Sequence, residues 1–167
     1  MKNNFVELPV STPDGQFTAR YSENGLAELN FPQAKAIVAQ KRGEGAPVSK
    51  KIINWHRATE SALKNVLAGN EPKELPPLDW NGATEFQKSV WQQMLKVSAG
   101  KTKSYGEIAE CIGKPGAVRA VGGACGANPI PVLVPCHRIL AANKKLGGFS
   151  GGLDWKRKLL AREGTKF

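Results

Sequence analysis

Near its midpoint the chain reads Gly69-Asn70-Glu71-Pro72-Lys73-Glu74-Leu75-Pro76-Pro77-Leu78-Asp79. Each of its three prolines removes a backbone donor and fixes φ at about −65°, so this stretch continues neither a helix nor a central strand. It reads as an extended linker that divides the 167 residues into two domains, 1–79 and 80–167. Charge divides at the same place. Residues 1–79 hold 10 basic against 9 acidic residues, a net of +1, and residues 80–167 hold 14 against 5, a net of +9. Lys and Arg displace counterions from a phosphate backbone, so the basic half points to a nucleic-acid partner.

The hydrophobic share of 41% excludes wholesale disorder. No apolar run approaches the roughly 18–20 residues that span a bilayer, which excludes an integral membrane protein. The N-terminus from Met1 to Glu7 has no apolar core of a secretory signal. Cys111, Cys125 and Cys136 are an odd set without framework spacing, so the expectation is a cytoplasmic protein with reduced thiols.

In the first half, Phe17–Tyr21 and Gly25–Phe31 read as strands about an Asn24-Gly25 turn, with Phe5–Val10 as a third. Ile52–Leu67 has helical spacing, with Ile52, Trp55, Leu63, Val66 and Leu67 on one face. This half is a small α+β unit with no concentrated chemistry. His56 has no metal-ligand neighbour at metal spacing.

In the second half, Thr84 caps a helix through Leu95, which buries Phe86, Val90 and Met94, or Trp91 and Leu95. Ser104 and Glu107 form a capping box for the next helix, and Gly113 stops it. After the turn Lys114-Pro115-Gly116, the helix Ala117–Gly126 consists of small residues and one charge, Arg119. Helix, short turn, helix is the pattern of a helix-turn-helix. With so few polar side chains, the second helix suits close, sequence-independent approach, in the minor groove, better than base reading.

The densest chemistry lies in Asn128-Pro129-Ile130-Pro131-Val132-Leu133-Val134-Pro135-Cys136-His137-Arg138. Three prolines stiffen an apolar approach to Cys136. A neighbouring His or Arg lowers a thiol pKa from about 8.5, and the thiolate is the nucleophile. Read as a strand, this segment points Cys136 and His137 to opposite faces, so a water would relay the proton between them. Cys111 and Cys125, among apolar and small helix residues, read as structural.

Pro135-Cys136-His137-Arg138, with Asn128-Pro129 before it and Gly147-Gly148-Phe149-Ser150-Gly151-Gly152 after it, resembles the O6-alkylguanine-DNA alkyltransferases. The resemblance runs from about Thr84 to Gly164 and includes Ser104-Tyr105, Arg119-Ala120-Val121-Gly122 and Glu163-Gly164. It implies an α/β fold, with a ribonuclease H-like N-terminal α+β domain. The C-terminal domain would be helical and carry a winged-helix-like helix-turn-helix that enters the minor groove of double-stranded DNA as a monomer. The implied reaction is irreversible transfer of an alkyl group from O6-alkylguanine, and from O4-alkylthymine, to Cys136, once per chain and without metal or organic cofactor. A non-catalytic binder of alkylated DNA, or a basic DNA-binding module, is the alternative.

The resemblance also implies roles. Cys136 would accept the alkyl group, His137 deprotonate it through water, and Glu163 orient the histidine. Tyr105 would donate to guanine N3, and the Ser150 amide would face O6. The Cys136 and Ile139 carbonyls would accept from the guanine amino group. Asn128 would tie the recognition helix to the reactive loop. Arg119 would fill the gap left by a flipped base, with groove contacts from Ser104, Ala117, Val118, Ala120 and Gly122. Two features depart from the family: the first half lacks the cysteine of a zinc site found in some relatives, and Cys125 and Gly126 replace larger residues.

Overall fold

The computed structural model describes residues 4–33 and 47–167, so Met1–Asn3 of the N-terminal reading lie outside the described residues. The first half opens with three antiparallel strands in the order β1 (Val6–Thr12), β2 (Gly15–Tyr21) and β3 (Leu26–Asn30). Alternation puts Leu8 and Val10 of β1, and Phe17, Ala19 and Tyr21 of β2, on the buried face. The outer face carries a cross-strand pair, Arg20 Nη1 with Glu28 Oε1 at 3.0 Å. Pro9 is tolerated because β1 is an edge strand.

Helix α1 (Lys50–Leu67) begins two residues before the expected Ile52, where the Ser49 hydroxyl accepts from the Ile52 amide. It buries Thr59, Ala62, Leu63, Val66 and Leu67. Tyr21 Oη donates to Thr59 Oγ1 at 2.9 Å and lies 3.0 Å from His56 Nδ1, which gives this histidine a structural place. Burial pushes the Tyr21 phenol up to about 12.

The proline-rich segment is extended, and its end is pinned to the sheet. The Leu26 amide donates to the Pro77 carbonyl and the Asp79 amide to the Leu26 carbonyl, each at 2.8 Å. A Cβ on Gly25 would stand 2.3 Å from the Pro77 oxygen, so only glycine permits that approach.

The second half contains α2 (Glu85–Met94), β4 (Lys103–Ser104), α3 (Tyr105–Cys111), α4 (Val118–Gly126), β5 (Ile139–Leu140) and α5 (Leu153–Arg162). Both expected caps form: Thr84 with Gln87 on α2, and Ser104 with Glu107 on α3. Gly113, at φ 72°, ends α3. Of the α2 residues expected to bury, Val90, Trp91 and Met94 do, Phe86 is partly buried, and Leu95 is exposed. Trp91 Nε1 donates to the Ala124 carbonyl at 2.8 Å and locks α2 to α4. Cys111 corrects its expectation: it is exposed, because α3 buries Ile108 and Ala109 on its other side.

The halves are joined by more than the linker. Asp14, in the β1–β2 turn, pairs with Arg162 of α5 at 2.6 Å. Phe31 packs tilted against Trp155 and edge-on to Phe149, at centroid distances of 5.1 and 5.7 Å. No described helix is long and apolar enough to cross a membrane.

Candidate active site

The loop leading to Cys136 is built around a strained residue and an amide that holds it. Val132 has φ 75°, a left-handed conformation that costs a β-branched residue on the order of 1–3 kcal/mol. Asn128 compensates across the loop. Its Nδ2 donates to the Val134 carbonyl at 2.9 Å and its Oδ1 accepts from the Ile130 amide at 3.0 Å. Asn128 is buried and follows the end of α4, where its backbone amide donates to the Cys125 carbonyl at 3.3 Å.

Cys136–Arg138 is one turn of 3₁₀ helix rather than strand. Pro135 has no amide to donate to a ladder, so the chain tightens: the Cys136 amide donates to Val134 O at 2.8 Å and the Arg138 amide to Pro135 O at 3.0 Å. The side chains still diverge. Cys136 lines a cavity of about 400 Å³ with Tyr105, Gly122, Cys125, Gly126, Gly148, Phe149 and Ser150. His137 turns into the interior, fully buried.

Glu163, the C-cap of α5, meets His137 there, with Nε2 and Oε1 2.8 Å apart. The carboxylate accepts, so Nε2 carries the hydrogen and Nδ1 keeps its lone pair. Nδ1 is buried and has no protein partner. Burial pulls the His137 pKa below its ordinary value against the raising effect of Glu163. Burial also pushes Glu163 up, but hydrogen bonds from His137 and Arg138 outweigh it and hold the carboxyl below its usual value.

Burial raises the Cys136 thiol to about 11, against lowering by the Asn128 side chain and the Lys156 charge. This corrects the expectation that His137 and Arg138 leave it near or below an ordinary thiol. At pH 7 a thiol of that pKa is ionised on the order of once in 10⁴ molecules, so a base is required.

Two buried cations take places that the sequence did not assign them. Arg138 lies 3% exposed and grips Glu163 through Nε (3.1 and 3.2 Å) and Nη2 (2.8 Å). Lys156 is fully buried and its ammonium donates to the carbonyls of Ile139 at 2.7 Å and Gly148 at 3.2 Å. A signal existed: Lys156, Leu159, Leu160 and Glu163 follow the spacing i, i+3, i+4, i+7, so the lysine sits in an apolar stripe.

Tyr105 opens α3 and lines the cavity, its pKa raised by burial first and then by the cysteines. Gly147 has φ 68°, and a Cβ there would stand 2.6 Å from the Tyr105 hydroxyl. Ser150 is exposed at the cavity edge. Ile139 does not line the cavity: its side chain is buried and its carbonyl holds Lys156. The Cys136 carbonyl accepts from the Ile139 amide, so each carbonyl keeps one lone pair for another donor. Gly126 and Gly148 have no atom within 4 Å of a Cβ position, so their smallness leaves room in the cavity.

On α4, Val118, Arg119 and Ala120 are exposed, whereas Val121, Ala124 and Cys125 are buried. Ala117 is its N-cap, and Gly122 faces the cavity. The Ser104 hydroxyl is engaged as a cap. Cys125 is less purely structural than expected: it packs on Met94 sulfur at 3.6 Å and also lines the cavity.

Residues 85–165 match the family profile described as "6-O-methylguanine DNA methyltransferase, DNA binding domain". The methylated-DNA–protein-cysteine methyltransferase of Methanosarcina acetivorans is 40% identical over 157 residues, 92% of this chain and 95% of that one. The chain belongs to this family. Among solved structures, the O6-methylguanine methyltransferase of Mycobacterium tuberculosis superimposes with a TM-score of 0.72 at 34% identity, over 96% of this chain and 93% of that one. The Mycobacterium tuberculosis OGT in complex with DNA gives 0.67 at 36% identity, over 93% and 90%. The family profile therefore spans every residue from Tyr105 to Glu163 gathered around the cavity and behind it.

Proposed function

We propose that the protein repairs DNA by direct reversal, taking the alkyl group of O6-alkylguanine onto Cys136. The observation that carries this reading is a buried thiol on the wall of a cavity, backed by a histidine whose other nitrogen is held by a buried carboxylate. The guanine is flipped from duplex DNA into the cavity, which falls in the size range of small-molecule sites. His137 Nδ1 takes the thiol proton through a water, and Glu163 stabilises the imidazolium. The sulfur attacks the alkyl carbon in line. The S–C bond forms, the C–O6 bond breaks, and its electron pair stays on guanine. Tyr105 donates to N3 and the Ser150 amide to O6, which makes guanine a tolerable leaving group. Lys156 adds positive charge beside the developing thiolate and holds the 147–149 loop to β5. The resulting thioether is stable, so each chain acts once; O4-alkylthymine offers the same alkyl–oxygen bond.

The reading places α4 in the minor groove, with Arg119 entering the base stack and Ser104, Ala117, Val118, Ala120 and Gly122 near the backbone. Residues 1–79 form the ribonuclease H-like domain, for which the three antiparallel strands and α1 are the support. Residues 80–167 form the winged-helix-like domain that binds DNA as a monomer in the cytoplasm. The decisive experiment uses duplex DNA carrying radiolabelled O6-methylguanine. Label should pass to the Cys136 peptide up to one per chain; label that stays on DNA leaves only a binder of damaged DNA.

Arg119→Ala separates flipping from chemistry. Removing the side chain that replaces the extruded base forfeits part of an unstacking cost of a few kcal/mol. Repair of duplex DNA should fall about tenfold or more, while reaction with free O6-benzylguanine stays near the wild-type rate. Equal losses on both substrates would refute the finger role.

A further inference from the structure

We propose that Glu71, in the proline-rich segment between the halves, is a positioning residue for the His137–Glu163 pair. The inference rests on Cys136 being the alkyl acceptor. Glu163 accepts from His137, from Arg138 and, at 3.5 Å, from the Gly100 amide. Glu71 touches the supports of two of these three. Its Oε1 accepts from Arg138 Nη1 at 3.4 Å and from the Ala99 amide, next to Gly100. Arg138 Nη1 also donates to the Val97 carbonyl at 2.6 Å, so the Val97–Gly100 turn, Arg138 and Glu71 form one cluster behind Glu163.

The chain is routed to put Glu71 there. The Gly69 and Asn70 amides close the end of α1 on the Val66 and Asn65 carbonyls. Gly69, at φ 83°, then passes so close to α5 that a Cβ would stand 2.1 Å from the Arg162 carbonyl. No residue with a side chain fits, and the segment is delivered beside the C-cap that carries Glu163.

Charge gives the placement a consequence. Glu163 and Arg138 together sum to zero, so an imidazolium at His137 would be the unbalanced charge of that cluster. With Glu71 the cluster sums to −1, and the proton taken by His137 neutralises it. The other charged or titratable groups facing His137 and Cys136 are Lys156 of α5, Cys125 of α4 and Tyr105 of α3. Lys156 acts on the thiolate side and opposes imidazolium, so the carboxylate behind Arg138 adds to Glu163 in compensating it.

Glu71→Gln keeps an acceptor for Ala99 and Arg138 and removes the charge. Glu71 is 51% exposed, so its field is partly screened. The expected effect is a fall of about 0.5 in the His137 pKa, read by NMR of labelled histidine, of which the chain has two. Methyl transfer near pH 7 should slow about threefold, with its acid limb displaced down by the same amount and the difference shrinking at high salt. Glu71→Ala should show the same displacement and a lower plateau, because the Ala99 contact is also lost. A His137 titration unmoved in both variants, or a rate lowered equally at every pH, overturns the proposal. If wild-type protein takes no methyl group but the titration moves, the coupling stands and the repair reading falls.

Discussion

Replacing Cys136 by Ser should abolish methyl transfer, at least about a thousandfold, and leave DNA affinity unchanged. The exchange is nearly isosteric and lies on the cavity wall, so fold and groove contacts persist. The chemistry does not, because a hydroxyl is a far weaker nucleophile and even the thiol, pushed up to about 11, depends on a base. Cys125→Ser is the internal control. Cys125 shares the cavity, but burial raises its thiol to about 12 and its sulfur rests on Met94. That variant should still transfer. Time courses with labelled duplex read both, and persistent transfer by the Cys136 variant would move the acceptor elsewhere.

Glu163→Ala should damage stability and chemistry together. Its carboxylate is the buried partner of both His137 and Arg138. Removing it leaves the Arg138 guanidinium, 3% exposed, with the half-exposed Glu71 as its one ion-pair partner among the described residues. Breaking a buried pair costs about 3–5 kcal/mol, on the order of 10 °C in Tm for a chain of this size. Transfer at pH 7 should fall about a hundredfold or more as His137 loses its orienting acceptor, and should recover as the pH approaches the thiol pKa.

The pH dependence of stability has a defined sign. The folded Glu163 pKa is depressed, so its contribution is complete above the unfolded value of about 4.5 and is lost as pH falls through the folded one. His137 is depressed too, so below about 6.5 the unfolded chain takes a proton that the buried ring resists, and stability declines. In Glu163→Ala the His137 loss should steepen, since the carboxylate that raised its pKa is gone. Calorimetry between about pH 2 and pH 8, from below the ordinary carboxylate value to above the imidazole value, checks both; an unchanged Tm at every pH would place Glu163 outside the folded network.

Local chemistry made much of this legible in the sequence. The caps at Thr84 and Ser104, the stop at Gly113 and the three strands follow from short-range donors, acceptors and alternation, and they form as expected. Cys136 and His137 stood out because their residue types are rare in the chain and their neighbours distinctive, whereas Glu163 came only from the family resemblance. What stayed hidden depends on tertiary placement. The pKa of Cys136 is decided by burial, which no neighbour in sequence reports. Cys111 shares its composition context with buried cysteines and is exposed only because α3 turns its other side inward. Arg138 was expected to lower the thiol pKa of its neighbour and serves Glu163 instead, twenty-five residues away along the chain. Glu71 looked like part of a spacer.

Helix α4 is one side chain thick in function as well as in composition. Gly122, Cys125 and Gly126 present its inner side to the cavity, and Val118, Arg119 and Ala120 its outer side to solvent. Among the described residues, no second layer separates the cavity wall from the surface assigned to DNA. On the proposed reading, a group left on the Cys136 sulfur therefore shares its cavity with the back of the helix assigned to the duplex, and the record of having reacted is written where the grip would be formed.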